Sequence, residues 1–354
     1  MTAIATPATP AARRRPAWFL PAVSIAAVVV YYLVLRFVFR IGEGTALQQV
    51  ANALSTGAIY ALIALGYTMV YGIIELINFA HGDIFMVGAF ISLFFLVQAL
   101  GAMDLTAPIT NLPVLMLLIG GALLVTMPLI GILNVGIERF FYRPLRNAPR
   151  LAPLITAIGV SFILQNIALV IAGSGDESSP QVFPLRDPAW RLSVGEISIP
   201  YLSLFVFVLA MVLMVLLQTF VGRTRLGRAM RSTAQDREAA ALMGVDLNQT
   251  IALTFLLGGA LAGAAGVVWG LTFGFVRSDL GFNAGLKAFT SAVLGGIGNI
   301  TGAVLGGFII GFIEVFATTL GQTRWSQFVV FVVLALVLIF RPAGILGQQV
   351  GERA

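Results

Sequence analysis

From residue 18 onward the chain is a succession of long apolar runs separated by short polar stretches. The runs lie at 18–39, 47–74, 84–100, 112–137, 151–172, 201–220, 251–275, 286–297, 303–320 and 328–340. A helix that crosses a bilayer needs about 20 apolar residues at 1.5 Å rise each, and most of the runs come near that length. The run at 286–297 is short and reads as a broken or re-entrant helix. The pattern predicts an all-α, polytopic transmembrane helical bundle of about ten membrane segments, one or more of them short or broken. Residues 1–17 would form an N-terminal tail, 18–340 the membrane domain and 341–354 a C-terminal tail, with long polar loops at 173–199 and 221–250.

Composition agrees. The 354 residues are 59% hydrophobic and 10% charged, whereas a water-soluble domain carries about 25% charged residues. Cysteine is absent and His81 is the single histidine, which excludes disulfide frameworks, thiol nucleophiles and histidine-cluster metal sites. No paired acid–base site suggests an enzyme. The net charge of +6 is almost all arginine lying between apolar runs. No basic face with interleaved aromatics suits RNA or DNA. Arg13–15, Arg139, Arg143, Arg146, Arg150, the arginines of 223–237 and Arg341 all fall on one side if the chain crosses ten times. The positive-inside rule then places both termini in the cytoplasm and the loop 173–199 outside. That loop is either a plain connector or a docking element for an external partner.

Several polar residues interrupt the apolar runs. Asn78, His81, Gly82 and Asp83, beside Glu75, separate the second run from the third. Intramembrane polar groups face protein or an aqueous path, so one reading is a broken helix at a gate. The other is a cytoplasmic turn in which Asp83 caps the third helix. His81 suits either a structural or a pathway role. Tyr60, Tyr67 and Thr68 share a face of the second run, and Gln165 and Asn166 sit in the fifth; each offers a hydrogen bond either to a neighbouring helix or to a solute. Glu314 is an isolated carboxylate in mid-run, expected to face protein or water rather than lipid. The glycine pairs Gly259/Gly263, Gly302/Gly306 and Gly307/Gly311 are spaced for close helix crossings, and GGIGN at 295–299 reads as the turn ending the short helix.

The loop 221–250 contains QDREAAALMGVD, a short helix with a charged opening and a glycine stop at Gly244. Such a rod either receives force from a soluble motor or lies at the membrane interface without a partner. No GxxxxGK[ST] sequence is present, so any ATPase would be a separate chain.

Glu238, Ala239, Ala240 and Gly244 resemble the EAA---G element of ABC-importer permeases, although Thr254 stands where that element has proline. Longer stretches at 57–90, 137–166, 281–314 and 338–347 resemble the permeases of branched-chain amino-acid ABC importers, and the chain is most similar to the shorter of the usual pair. The resemblance covers most of the chain from Gly57 onward. It implies a bacterial inner-membrane permease in a heterodimer with a second, homologous permease. Two cytoplasmic ATPase subunits would bind ATP and Mg, and a periplasmic solute-binding protein would deliver the substrate, branched-chain amino acids or related small amino acids or amides, for passage into the cytoplasm. It implies no cofactor in this chain and no catalysis by it. An ion-coupled secondary transporter of small polar solutes is the alternative, with Glu314 or Asp83 as its intramembrane acid.

Overall fold

The computed structural model describes residues 19–74, 78–103, 109, 111–146, 148–149, 151–173, 177–178, 191–194, 197–341 and 343–347. The tail at 1–17, Glu75, most of the loop 173–199 and the end of the C-terminal tail lie outside the described residues.

The helices are α1 (Phe19–Leu33, prolonged by a π-turn at Val34–Val38), α2 (Glu43–Ile74), α3 (His81–Ala102), α4 (Leu112–Ile137), α5 (Leu151–Ala172) and α6 (Tyr201–Arg223). They continue with α7 (Arg225–Gln235), α8 (Arg237–Leu242), α9 (Leu247–Phe273), α10 (Leu280–Gly295), α11 (Ile300–Thr319) and α12 (Ser326–Phe340). Among the described residues eight helical segments are long and apolar enough to cross a membrane, α12 counting as one together with the turn at Thr323–Trp325; of the ten expected segments α1 and α10 are the two that fall short of this. With 16 residues α10 spans about 24 Å, less than the ~30 Å hydrocarbon core. It begins at Leu280 rather than 286 and ends at Gly295, where Gly296 and Gly298 take positive φ angles of 108° and 85°.

Helix α2 is buried almost all round, which is why its apolar positions show no single face. It crosses α11 at Gly57, where a Cβ would lie 2.7 Å from the Phe308 Cα. Helix α9 crosses α4 in the same way, with a Cβ at Gly259 falling 2.7 Å from the Ile130 carbonyl oxygen. All three predicted glycine pairs sit at such crossings: Gly259/Gly263 on α4, Gly302/Gly306 on α10 and Gly307/Gly311 on α2. Without a hydrophobic drive between helices in lipid, this close backbone approach supplies the packing.

The chain turns back between Ile74 and His81. The His81 ring lies 4.6 Å from that of Tyr67, so α3 starts about 10 Å along the axis from the end of α2. Helix α10 starts against the same place. A Cβ at Gly285 would lie 2.8 Å from the Gly82 Cα. Two helix beginnings therefore meet inside the bundle. Exchanging α2 with α9, α3 with α10 and α4 with α11 reproduces the main helix contacts. The Arg237 guanidinium donates to the Ile74 carbonyl oxygen at 2.5 Å, so α2 ends on the face where α9 begins and the two run in opposite directions. This is the arrangement of an inverted repeat.

Short strands lie on the opposite face. β1 (Glu177–Ser178) pairs with β4 (Phe275–Val276), and β2 (Arg191–Val194) pairs with β3 (Ile197–Pro200), all antiparallel. The Ser198 amide donates to Gln48 Oε1 at 3.0 Å, fixing this hairpin to the start of α2.

Candidate functional site

The loop 221–250 folds as α7 and α8. Asp236 caps α8, its Oδ1 accepting from the Ala239 amide at 3.0 Å. At the other end Gly244 has φ +84°; its amide donates to Ala241 at 3.0 Å and that of Val245 to Ala240 at 3.1 Å. These two bonds form a Schellman stop, which favours glycine because a left-handed residue with a Cβ is strained. Asp246 then caps α9 through the Asn248 and Gln249 amides, at 2.8 and 3.1 Å. Ala240 is buried, while Leu242 and Met243 are 89% and 85% exposed. The rod thus ends in an exposed apolar tip, and Arg237 ties its base to the last residue of α2.

The polar residues singled out in the membrane segments fall into separate groups. Asp83, on the first turn of α3, accepts from the Ser161 hydroxyl and from Gln165 Nε2, the latter at 3.0 Å. The expectation that Asp83 caps α3 is incorrect. Ala80 holds the cap position without a side-chain bond, and the carboxylate is turned toward α5 because the interior offers it two donors there. The segment is also no surface turn: Asn78, His81 and Asp83 are all buried. Asn78 accepts from the Tyr142 hydroxyl at 2.7 Å. His81 packs edge-on against Tyr67, and neither ring nitrogen makes a well-formed hydrogen bond among the described residues. Asn166 stands apart, exposed and bonded to the Phe162 carbonyl of its own helix at 2.8 Å. Beyond the Asp83–Gln165 contact, α3 and α5 diverge around an open apolar groove of about 490 Å³, lined by Phe90, Phe94, Val97, Leu164, Ile167 and Ile171.

Glu314 is not isolated. Its Oε1 pairs with Lys287 Nζ at 2.5 Å, and its Oε2 accepts from the Tyr60 hydroxyl at 2.5 Å. Lys287 also reaches the Tyr60 oxygen at 3.4 Å. The cluster joins α2, α10 and α11. Sequence reasoning missed Lys287, although the one lysine of the chain in a short apolar segment, close in sequence to a lone mid-run glutamate, was the available signal. It also missed Ser161 and Arg237, whose partners come from distant parts of the chain.

A multi-pass helical bundle with two helix beginnings and a Lys287–Glu314 ion pair in its interior, and a capped rod projecting from one face, has the build of a membrane permease. The profile of the family described as "Branched-chain amino acid transport system / permease component" matches residues 49–338, and the chain belongs to that family. It is 43% identical over 307 residues to the high-affinity branched-chain amino acid transport system permease protein BraD of Pseudomonas aeruginosa, covering 87% of this chain and 97% of that one. It is 40% identical over 316 residues to the corresponding protein LivH of Escherichia coli K12, with the same coverage. A probable branched-chain amino acid transport permease of Methanocaldococcus jannaschii is 27% identical over 302 residues, covering 81% of this chain and 88% of that one. No solved structure matches. The chain is thus a non-enzymatic, multi-pass transport subunit of the ABC-importer type.

Proposed function

We propose that this chain moves branched-chain amino acids into the cytoplasm as one half of a permease pair. Its partners are a second, homologous permease, two cytoplasmic ATPases that bind ATP and Mg, and a periplasmic solute-binding protein. It sits in the bacterial inner membrane with both termini, the loop 221–250 and the end of α12 on the cytoplasmic side. The cargo follows from the relatives, whose names specify it.

The observation that carries the importer reading is the rod α8. Glu238, Ala239 and Ala240 lie in it, Gly244 ends it, and Leu242 and Met243 supply its apolar tip for a groove on the ATPase. A push on that tip reaches Arg237 and then the Ile74 carbonyl, at the point where the chain leaves α2 and turns back toward α3. Closure of the ATPase pair is thereby felt at the meeting of α3 and α10. Tyr67, Asn78, His81 and Asp83 form the inner gate in this reading, with Gln165 fixing Asp83. Tyr60 and Glu314 belong to the pathway wall. Asn166, exposed and bonded to its own helix, stands outside this wall.

A gradient-driven transporter is less well supported. It needs a carboxylate free to take up an ion, whereas Glu314 is paired with Lys287 and Asp83 is held by Ser161 and Gln165. The test is co-purification with the ATPase after deletion of 238–244. Loss of the ATPase with membrane insertion retained is expected. Solute accumulation by vesicles holding only this chain, driven by a proton or sodium gradient without nucleotide, would reject the importer reading.

A further inference from the structure

Helix α10 carries a polar stripe that the importer reading leaves unused. Asp279, Asn283 and Lys287 lie four residues apart, on one face of the helix. Asn283 Nδ2 donates to the Asp279 carboxylate at 3.4 Å, and Arg277 pairs with the same carboxylate at 3.0 Å. Asp279 and Asn283 are exposed, and the stripe descends about 12 Å to Lys287. The Lys287 and Glu314 side chains are still 14% and 18% exposed. Polar groups that remain open at this depth do not face lipid tails; they face water or another polar molecule. Phe282, 55% exposed, and the half-buried Leu286 flank the stripe with apolar surface.

We propose that this stripe, ending at Lys287, Glu314 and Tyr60, receives the zwitterionic head group of the transported amino acid, with Phe282 and Leu286 alongside its aliphatic side chain. The proposal rests on the amino-acid importer reading. An ammonium has three donors, and among the described residues Lys287 spends two of them on Glu314 and Tyr60, which leaves one for the substrate carboxylate. Each Glu314 oxygen accepts one bond in the cluster and keeps capacity for the substrate ammonium. The internal pair mimics the bound zwitterion, so the site stays neutral whether full or empty. No buried charge is stranded when the substrate leaves.

The complete importer, reconstituted in proteoliposomes with L-leucine as probe, tests this. If the wild-type complex shows no ATP-dependent leucine uptake, the cargo reading itself fails. Given wild-type uptake, Asn283→Leu should lower the rate at least fivefold with the folding and membrane insertion of this chain unchanged, since the position is exposed and its replacement leaves the bundle intact. A wild-type rate in this variant overturns the proposal. The swapped pair Lys287→Glu with Glu314→Lys should restore the stability lost in either single variant and still transport at less than a tenth of the wild-type rate. Full recovery of uptake by the swap would show that the pair only holds helices together, and would overturn the proposal independently.

Discussion

Replacing Glu314 with leucine removes one side of the Lys287–Glu314–Tyr60 cluster and leaves an ammonium among α2, α10 and α11. Breaking a fully buried pair from one side costs about 3–5 kcal/mol. The two side chains are 14% and 18% exposed, so solvent relieves part of the loss and about 2–3 kcal/mol is expected. Glu314→Gln keeps an acceptor for Tyr60 or Lys287 and should cost about 1 kcal/mol. The double variant Lys287→Met with Glu314→Leu removes both charges and should return to within about 1 kcal/mol of wild type, since apolar groups of similar volume replace buried pairs at little cost. Unfolding of the purified chain in detergent micelles, followed by a denaturant titration of all four proteins, measures these differences. At about 1.4 kcal/mol per tenfold change in the equilibrium, Glu314→Leu should shift it some 30- to 150-fold. A double variant no more stable than Glu314→Leu would refute the reasoning, because the damage would then come from packing and not from a stranded charge. In transport, Gln should slow uptake less than Leu, and wild-type rates for both would remove Glu314 from the pathway.

Other consequences follow from the same geometry. Gly82→Leu drives a side chain into Gly285, where a Cβ alone already falls 2.9 Å from the Cα; a loss of about 1–3 kcal/mol is expected from overpacking, and unchanged unfolding would mean that α3 and α10 do not meet there. Asp236→Ala removes the cap of α8 and should destabilise that helix by about 1 kcal/mol, seen as faster amide exchange at Ala239; equal protection would disprove the cap. Arg237→Met cuts the tie to Ile74, so the complex should still assemble and hydrolyse ATP while moving several-fold less leucine per ATP. An unchanged ratio would show that force does not pass through this bond.

The sequence by itself determined the solvent, the helical class and the rod. The apolar runs are long and the charges sparse, so lipid had to be the medium, and backbone hydrogen bonds in lipid close only within helices or barrels. The rod was legible because Asp236 and Gly244 act on backbone groups within a few residues of themselves, which is information local to the chain. The glycine pairs announced their crossings for the same reason, since their period places them on one face.

Only the tertiary structure decided what each polar side chain meets. Asp83 resembled a cap because aspartate commonly serves as one, and its partners Ser161 and Gln165 lie 78 and 82 residues away. Glu314 looked isolated because Lys287 is on another helix and Tyr60 is some 250 residues distant in the chain. In a bundle buried on most sides, the apolar pattern no longer marks a face, so which helices touch is set by backbone approach and ion pairing across the fold. Those pairings depend on how α2 and α9 run past each other, and no spacing along the sequence encodes that.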